Sequence, residues 1–278
     1  MTADHGTITT PDGTELYTRH WATENATATI LLLHGGGEHS GRYGHVAEFF
    51  NGRGFELRAY DQRGSGNSGG AEMDIEQWSD FVDDLQFVVE SEVLGTKRPW
   101  VLYGHSIGGL VSVGYLKDAG RPQPDAAVLS APSLDNNAPL WKRLAAEGVG
   151  RFLPTLRIPS GLKGDQMSKD PDVIEAYLSD PLNSHNWTAR WGRLALAAQA
   201  QAYDDIDRIS VPTFVVHGTE DDVAPTDCSA PLAAVDGVER KLYPGVRHEV
   251  HNDLEWEEIL TDVADWLDAT LADQPATS

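Results

Sequence analysis

The 278-residue chain, 40% hydrophobic, is long enough to bury a substantial core without cross-links, and its single cysteine, Cys228, excludes an intramolecular disulfide. Against 21 Lys and Arg stand 43 Asp and Glu, a formal net charge of −22 that excludes the basic footprint of a nucleic-acid-binding protein and opposes approach to anionic membranes. No apolar run approaches the roughly 20 residues of a spanning helix, and Met1–Thr10 lacks a basic start followed by an apolar stretch, so the chain reads as soluble, unprocessed and cytoplasmic.

Thr7–Thr10 and Glu15–Trp21, separated by Pro11-Asp12-Gly13, predict an opening antiparallel hairpin. Thr29–Leu33 is short and branched and stops at His34-Gly35-Gly36-Gly37, which predicts a strand. A helix over Tyr43–Phe50 and a strand over Glu56–Tyr60 follow. Phe81, Leu85, Val88 and Val89 recur at helical spacing within a helix expected over Ile75–Val93. Next come a strand over Pro99–Tyr103, a helix over Ile107–Lys117 and a strand over Ala126–Leu129. After Ala131-Pro132 the alternation stops. The stretch 133–202 offers helix-like pieces at Leu140–Glu147, Asp172–Leu178 and Trp187–Ala202 but no good strand, and Trp141, Leu144, Phe152 and Leu153 make its first part unusually apolar. Strands resume at Thr213–Val216 and Glu239–Tyr243, with helices over Cys228–Val235 and Glu255–Leu271, and the polar tail Ala272–Ser278 reads as frayed. Strands alternating with helices predict an α/β fold, a mostly parallel central sheet flanked by helices. Residues 1–132 and 203–278 form the expected core and 133–202 a helical insertion.

The strongest chemical signal is Gly104-His105-Ser106-Ile107-Gly108 between an expected strand and helix. A serine on that sharp turn is thrust out of the sheet above a helix N-terminus, and small neighbours let other chains approach. Gly66-Asn67-Ser68-Gly69-Gly70 spells the same pattern, and Gly64, Gly66 and Gly69 spell G-x-G-x-x-G, but neither sits between a strand and an apolar helix. Both read as a glycine-rich loop. A serine needs a base, and the base a carboxylate to orient it. Asp221 follows the strand Thr213–Val216 and His248 follows Glu239–Tyr243, giving the chain order Ser, Asp, His at one rim of the sheet. Glu220 and Asp222 are rival carboxylates and His251 a rival base. For a developing oxyanion the donors expected are the backbone N–H of Ile107 and that of Gly36. His248-Glu249-Val250-His251 is one residue short of H-E-x-x-H and no Cys/His cluster exists, so neither a metal nor a cofactor is expected.

With these residues in hand, the chain resembles the monoacylglycerol lipases of the α/β-hydrolase superfamily over nearly its whole length. The resemblance is carried by His34-Gly35-Gly36-Gly37-Glu38-His39-Ser40-Gly41-Arg42-Tyr43, Asp61–Ser68, Gly104–Gly109, His217–Asp221 and Tyr243-Pro244-Gly245 with His248-Glu249. Within the insertion, Ser168-Lys169-Asp170-Pro171 and Ala176–Pro181 resemble that family's cap. The resemblance implies hydrolysis of a single fatty ester of glycerol, a cap that forms an apolar acyl tunnel and touches membranes or micelles transiently, and a glycerol end near Arg42, His105 and Tyr177. Ile107 stands where the family usually has Met, and Arg63-Gly64-Ser65-Gly66 replaces a His-rich turn. Two other readings share the residues: a broader carboxylesterase or lysophospholipase with the same triad, and a non-catalytic binding protein on the same fold.

Overall fold

A computed structural model describes residues 2–272. Its first half runs β1 (Asp4–Thr9), β2 (Glu15–Trp21), β3 (Ala28–Leu33), α1 (Gly44–Gly52), β4 (Phe55–Tyr60), α2 (Ser79–Val88), β5 (Trp100–His105), α3 (Ile107–Leu116) and β6 (Ala126–Ser130). Between β6 and the next core strand lie α4 (Leu140–Phe152), β7 (Arg157–Pro159), α5 (Gly164–Met167), α6 (Pro171–Ser179), β8 (Asn186–Thr188) and α7 (Ala189–Ala200). β9 (Thr213–Gly218), β10 (Val238–Tyr243) and α8 (Trp256–Ala272) complete the chain.

Eight strands make one sheet in the order β1-β2-β4-β3-β5-β6-β9-β10. Pairing is antiparallel at β1–β2 and β2–β4 and parallel from there on. β3 is buried at every position because helices cover both faces of the sheet. Its alternating side chains divide between two cores. Leu31 and Leu33 pack with Leu85 of α2 and Leu110 of α3, whereas Ile30 and Leu32 pack with Phe50 of α1 and Val263 and Leu267 of α8. Parallel strands end at the same rim, so the turns after β3, β5, β9 and β10 converge there.

Several expected elements change at their ends. α2 begins at Ser79 rather than Ile75, with the Asp80 carboxylate accepting the Gln77 N–H at 3.1 Å and Asp74 paired with Arg190 from the insertion at 2.6 Å. Residues Thr226–Ala234 form 3₁₀ turns instead of an α-helix; Pro231 inside them has no N–H to donate. The insertion, expected to lack strands, contains a small antiparallel ribbon in which β7 pairs with β8. α7 starts two residues later than expected, where Thr188 Oγ1 accepts the Trp191 N–H at 3.1 Å as an N-cap. Ala272, expected in the frayed tail, ends α8, and the rest of that tail lies outside the described residues.

Hydrogen bonds tie the insertion to the rim, and three of them show the pattern. Ser184 N–H donates to Gly37 O at 2.8 Å, His39 Nε2 bonds Asp180 Oδ2 at 2.9 Å, and Glu249 N–H donates to Met167 O at 2.8 Å.

Candidate active site

β5 runs straight into α3, and Ser106 is the single residue between them, with φ 52° and ψ −115°. That left-handed backbone is rare for a residue with a side chain and costs on the order of 1–3 kcal/mol. It is tolerated because the turn is over-determined: Ser106 N–H donates to Ser130 O at 3.0 Å, and Ser106 O accepts from Leu110 N at 3.1 Å and Ser133 N at 3.0 Å. Two glycines permit the close approach. A Cβ on Gly104 would lie 2.3 Å from Ser112 Oγ, and one on Gly108 would lie 2.5 Å from Leu33 O. The second G-x-S-x-G has no such setting. Ser68 Oγ accepts the Tyr17 N–H at 2.8 Å and donates to Asp61 O, so this hydroxyl holds a loop against β2.

The structure brings Ser106, His248 and Asp221 together. Ser106 Oγ lies 2.9 Å from His248 Nε2, and His248 Nδ1 lies 2.7 Å from Asp221 Oδ2. Neither Glu220 nor Asp222 takes this place, and His251 is stacked 4.6 Å from the Tyr43 ring, away from the serine. Asp221 is itself anchored. Its Oδ1 accepts the N–H groups of Val223 and Ala224, both at 2.8 Å, and its Oδ2 also bonds His217 Nε2 at 3.1 Å. Burial alone would raise the Asp221 pKa, but the facing His248 and the His217 hydrogen bond outweigh it and hold the carboxyl well below its usual range. Burial likewise pushes His248 down, and the Asp221 charge and hydrogen bond overcome this and raise it above the ordinary imidazole value. His105, whose ring centroid is 5.0 Å from that of His248, is lowered to about 4 by burial and by His248, and so stays neutral near pH 7. An O–H bonded to an imidazole that a buried carboxylate orients has the connectivity to lose its proton as it attacks.

The loop after β3 is held from below. His34 Nε2 accepts the Gln62 N–H at 2.8 Å, and Gly35 N–H donates to Glu38 Oε1 at 2.6 Å. Gly36 and Ile107, whose backbone N–H groups are the expected donors, are close neighbours: a Cβ on Gly36 would lie 3.0 Å from the Ile107 side chain. Both residues line the cavity at Ser106. Glu38 belongs to a buried ion cluster absent from the sequence reading. Arg42 donates to Glu38 Oε2 at 2.6 Å and forks onto Glu249 at 2.6 and 2.7 Å, and Tyr43 O–H donates to Glu38 Oε1 at 2.7 Å. Arg42, expected near a glycerol end, is not on the cavity wall; its guanidinium is taken up by the two glutamates and lies 5.2 Å from the Tyr177 ring centroid. His105 and Tyr177 do line the cavity, together with Glu38 and Glu249. The available signal for the glutamates was position alone, one inside the glycine-loop motif and the other next to His248.

The cavity has a volume of about 250 Å³. Its lining combines polar side chains, among them Glu38, Glu249, His105, Tyr177 and Gln199, with the apolar Leu162, Met167, Trp187, Trp191 and Leu196 of the insertion. On the outer surface of the insertion, Trp141 is 67% and Phe152 79% exposed, with Leu140, Leu144 and Leu153 also exposed. Among the described residues no group of acidic, His or Cys side chains is placed to hold a metal ion, and no helix is long and apolar enough to cross a membrane.

Residues 24–255 match the Hydrolase_4 family model, described as serine aminopeptidase, S33. A monoacylglycerol lipase of Mycolicibacterium smegmatis is 33% identical over 249 residues, covering 86% of this chain and 87% of that protein. A phospholipase of Bacillus subtilis is 28% identical over 247 residues, covering 86% of this chain and 94% of that protein. Among solved structures, the monoacylglycerol lipase of Paleococcus ferrophilus aligns with a TM-score of 0.81 at 29% identity, over 92% of this chain and 99% of that one. A family match over most of the chain, on a sheet that presents its serine at a strand-to-helix elbow, leaves one assignment: the chain belongs to the Hydrolase_4 family and has the α/β-hydrolase fold.

Proposed function

We propose that the protein is a serine hydrolase that cleaves the ester bond of monoacylglycerols to free fatty acid and glycerol, using Ser106, His248 and Asp221. Ser106 Oγ attacks the ester carbonyl while His248 Nε2 takes its proton. Asp221 stabilises the imidazolium that forms, and the N–H groups of Gly36 and Ile107 receive the oxyanion. Collapse of the tetrahedral intermediate breaks the bond to the glycerol oxygen, which takes the proton from His248 and leaves an acyl-Ser106 ester. Water, activated by the same histidine, then releases the fatty acid and restores the serine. No step calls for a metal or a cofactor.

The observation that carries the reading is the hydrogen-bonded chain from Ser106 to Asp221 beside a cavity lined by both carboxylates and bulky apolar side chains. The two carboxylates at the cavity argue for a neutral alcohol. Glu38 and Glu249 place two carboxylates against one guanidinium, and Arg42 is spent on both, so a phosphate-bearing head group would meet net negative charge. The name of the Bacillus subtilis relative keeps a phospholipase as the second reading.

In this proposal residues 133–202 are the cap and the remainder the core. The exposed side chains of α4 give the cap an apolar face that inserts locally into a lipid surface, at about 25 cal/mol per Å² buried, against the long-range repulsion of a chain carrying a net charge of −22. A purified-enzyme panel of monoacylglycerols, diacylglycerols, triacylglycerols, lysophospholipids and a peptide amide tests the substrate. Monoacylglycerols should give the highest kcat/KM; a preference for lysophospholipids or for the amide overturns the proposal.

A further inference from the structure

A second cavity adjoins the first along α7. It has a volume of about 140 Å³ and shares Ser160, Trp187, Gly192 and Leu196 with the first. Ala146 and Val149 of α4 and Ile158 of β7 add to its wall, and Glu38 and Glu249 of the first cavity are not part of it. Three of the four shared residues carry side chains. The fourth is Gly192, the fourth of the twelve residues of α7, where a Cβ would meet nothing within 4 Å. A helix-interior glycine weakens its helix relative to alanine. Neither crowding nor a positive φ accounts for it here, in contrast to Gly108, where a Cβ would lie 2.5 Å from backbone. What the missing side chain leaves is open space at a residue that lines both chambers.

We propose that Gly192 determines acyl-chain length: the gap at this residue joins the chambers and lets the methyl end of a long acyl chain pass from the first into the second. This inference rests on the reading of the first cavity as the acyl side of an ester site. The occupant follows from the walls, since the second chamber has a mainly apolar lining, adjoins the Ser106 cavity at four shared residues and is not lined by the carboxylates that face the alcohol. A side chain at 192 would project into this open space and confine the acyl chain to the first chamber.

The test is the ratio of kcat/KM for long over short acyl chains, measured with nitrophenyl butyrate through nitrophenyl palmitate and with the corresponding monoacylglycerols. Wild type is compared with Gly192→Ala, Gly192→Leu and Ala146→Phe, the last filling the second chamber from its opposite wall. Each methylene denied burial costs about fourfold, so excluding three lowers the ratio roughly 60-fold in Gly192→Leu. Gly192→Ala should give a smaller fall in the same direction, and Ala146→Phe should reproduce the loss without altering residue 192. Melting temperatures are recorded for each variant; replacing a helix glycine should hold or raise them, and if Gly192→Leu does not fold, the other two variants carry the test. An unchanged ratio, or an equal fall at every chain length, overturns the inference. Hydrolysis of the nitrophenyl series without hydrolysis of any monoacylglycerol would defeat the functional reading instead, while the nitrophenyl ratio still reports on Gly192.

Discussion

Arg42 separates a structural from a substrate-binding role, and replacing it with methionine distinguishes them. Its guanidinium makes three charge-assisted hydrogen bonds of 2.6–2.7 Å to Glu38 and Glu249, and all three side chains are buried. Methionine keeps the apolar stem but leaves two carboxylates facing each other out of water. Removing one partner of a buried ion pair costs about 3–5 kcal/mol. For a domain of this size each kcal/mol moves the melting temperature by about 2–4 °C, so Arg42→Met should melt roughly 6–20 °C below wild type by calorimetry. The pH dependence carries the sign. In wild type Glu38 is held below its ordinary pKa: burial raises it, but Arg42 and the neighbouring histidines outweigh that. Without Arg42, burial and the facing Glu249 charge raise the Glu38 carboxyl, and a folded-state pKa above the unfolded value means stability is regained as pH falls through it. The deficit should therefore be larger at pH 8 than at pH 5.5. Arg42→Lys, which keeps the charge and loses the fork, should fall between. A melting temperature within about 2 °C of wild type, with KM for a monoacylglycerol raised, would refute this account and return Arg42 to the substrate.

Two further outcomes follow from the same geometry. His248 must be neutral to accept the serine proton, and its pKa is raised by Asp221, so kcat/KM should fall on the acid side with an apparent pKa above the ordinary 6.5; a limb below 6.5 contradicts the pairing. Because Phe152 and Leu153 are 79% and 57% exposed, Phe152→Ser with Leu153→Ser should lower vesicle binding while leaving the melting temperature and hydrolysis of a soluble short-chain ester nearly unchanged. A sharp fall in melting temperature with unchanged vesicle binding per folded molecule would make those side chains core.

Ser106, Asp221 and His248 were legible because each sits at a punctuated strand end, where spacing alone locates the rim of a parallel sheet. The core strands were legible for the same reason: β3, β5 and β9 are buried throughout and contain the short apolar runs Ile30–Leu33, Trp100–Tyr103 and Phe214–Val216. What was not legible depends on long-range partners. β7 and β8 are three residues each, too short for any periodicity, and they exist because Arg157–Pro159 finds Asn186–Thr188. β1 begins at Asp4, three residues before its expected start, since Asp4, His5 and Gly6 pair with His20, Arg19 and Thr18 and bring no apolar pattern of their own. The Glu38–Arg42–Glu249 cluster spans residues 207 apart, and no local pattern reports such a contact. Gly192 has no signal at all in one sequence, since its meaning lies in the space around it.

The central claim is that Ser106 carries the acyl group, and the most direct measurement is mass-spectrometric mapping of a fluorophosphonate adduct combined with monoacylglycerol turnover. Wild type should take up one phosphonate on the peptide containing Ser106 and lose turnover in proportion. Ser106→Ala should neither label nor turn over, a loss approaching about a million-fold in kcat. Ser68→Ala, which loses the bonds to Tyr17 N and Asp61 O, should label at Ser106 like wild type. Labelling of Ser106→Ala that keeps pace with wild type, or an adduct on Ser68, would contradict the account.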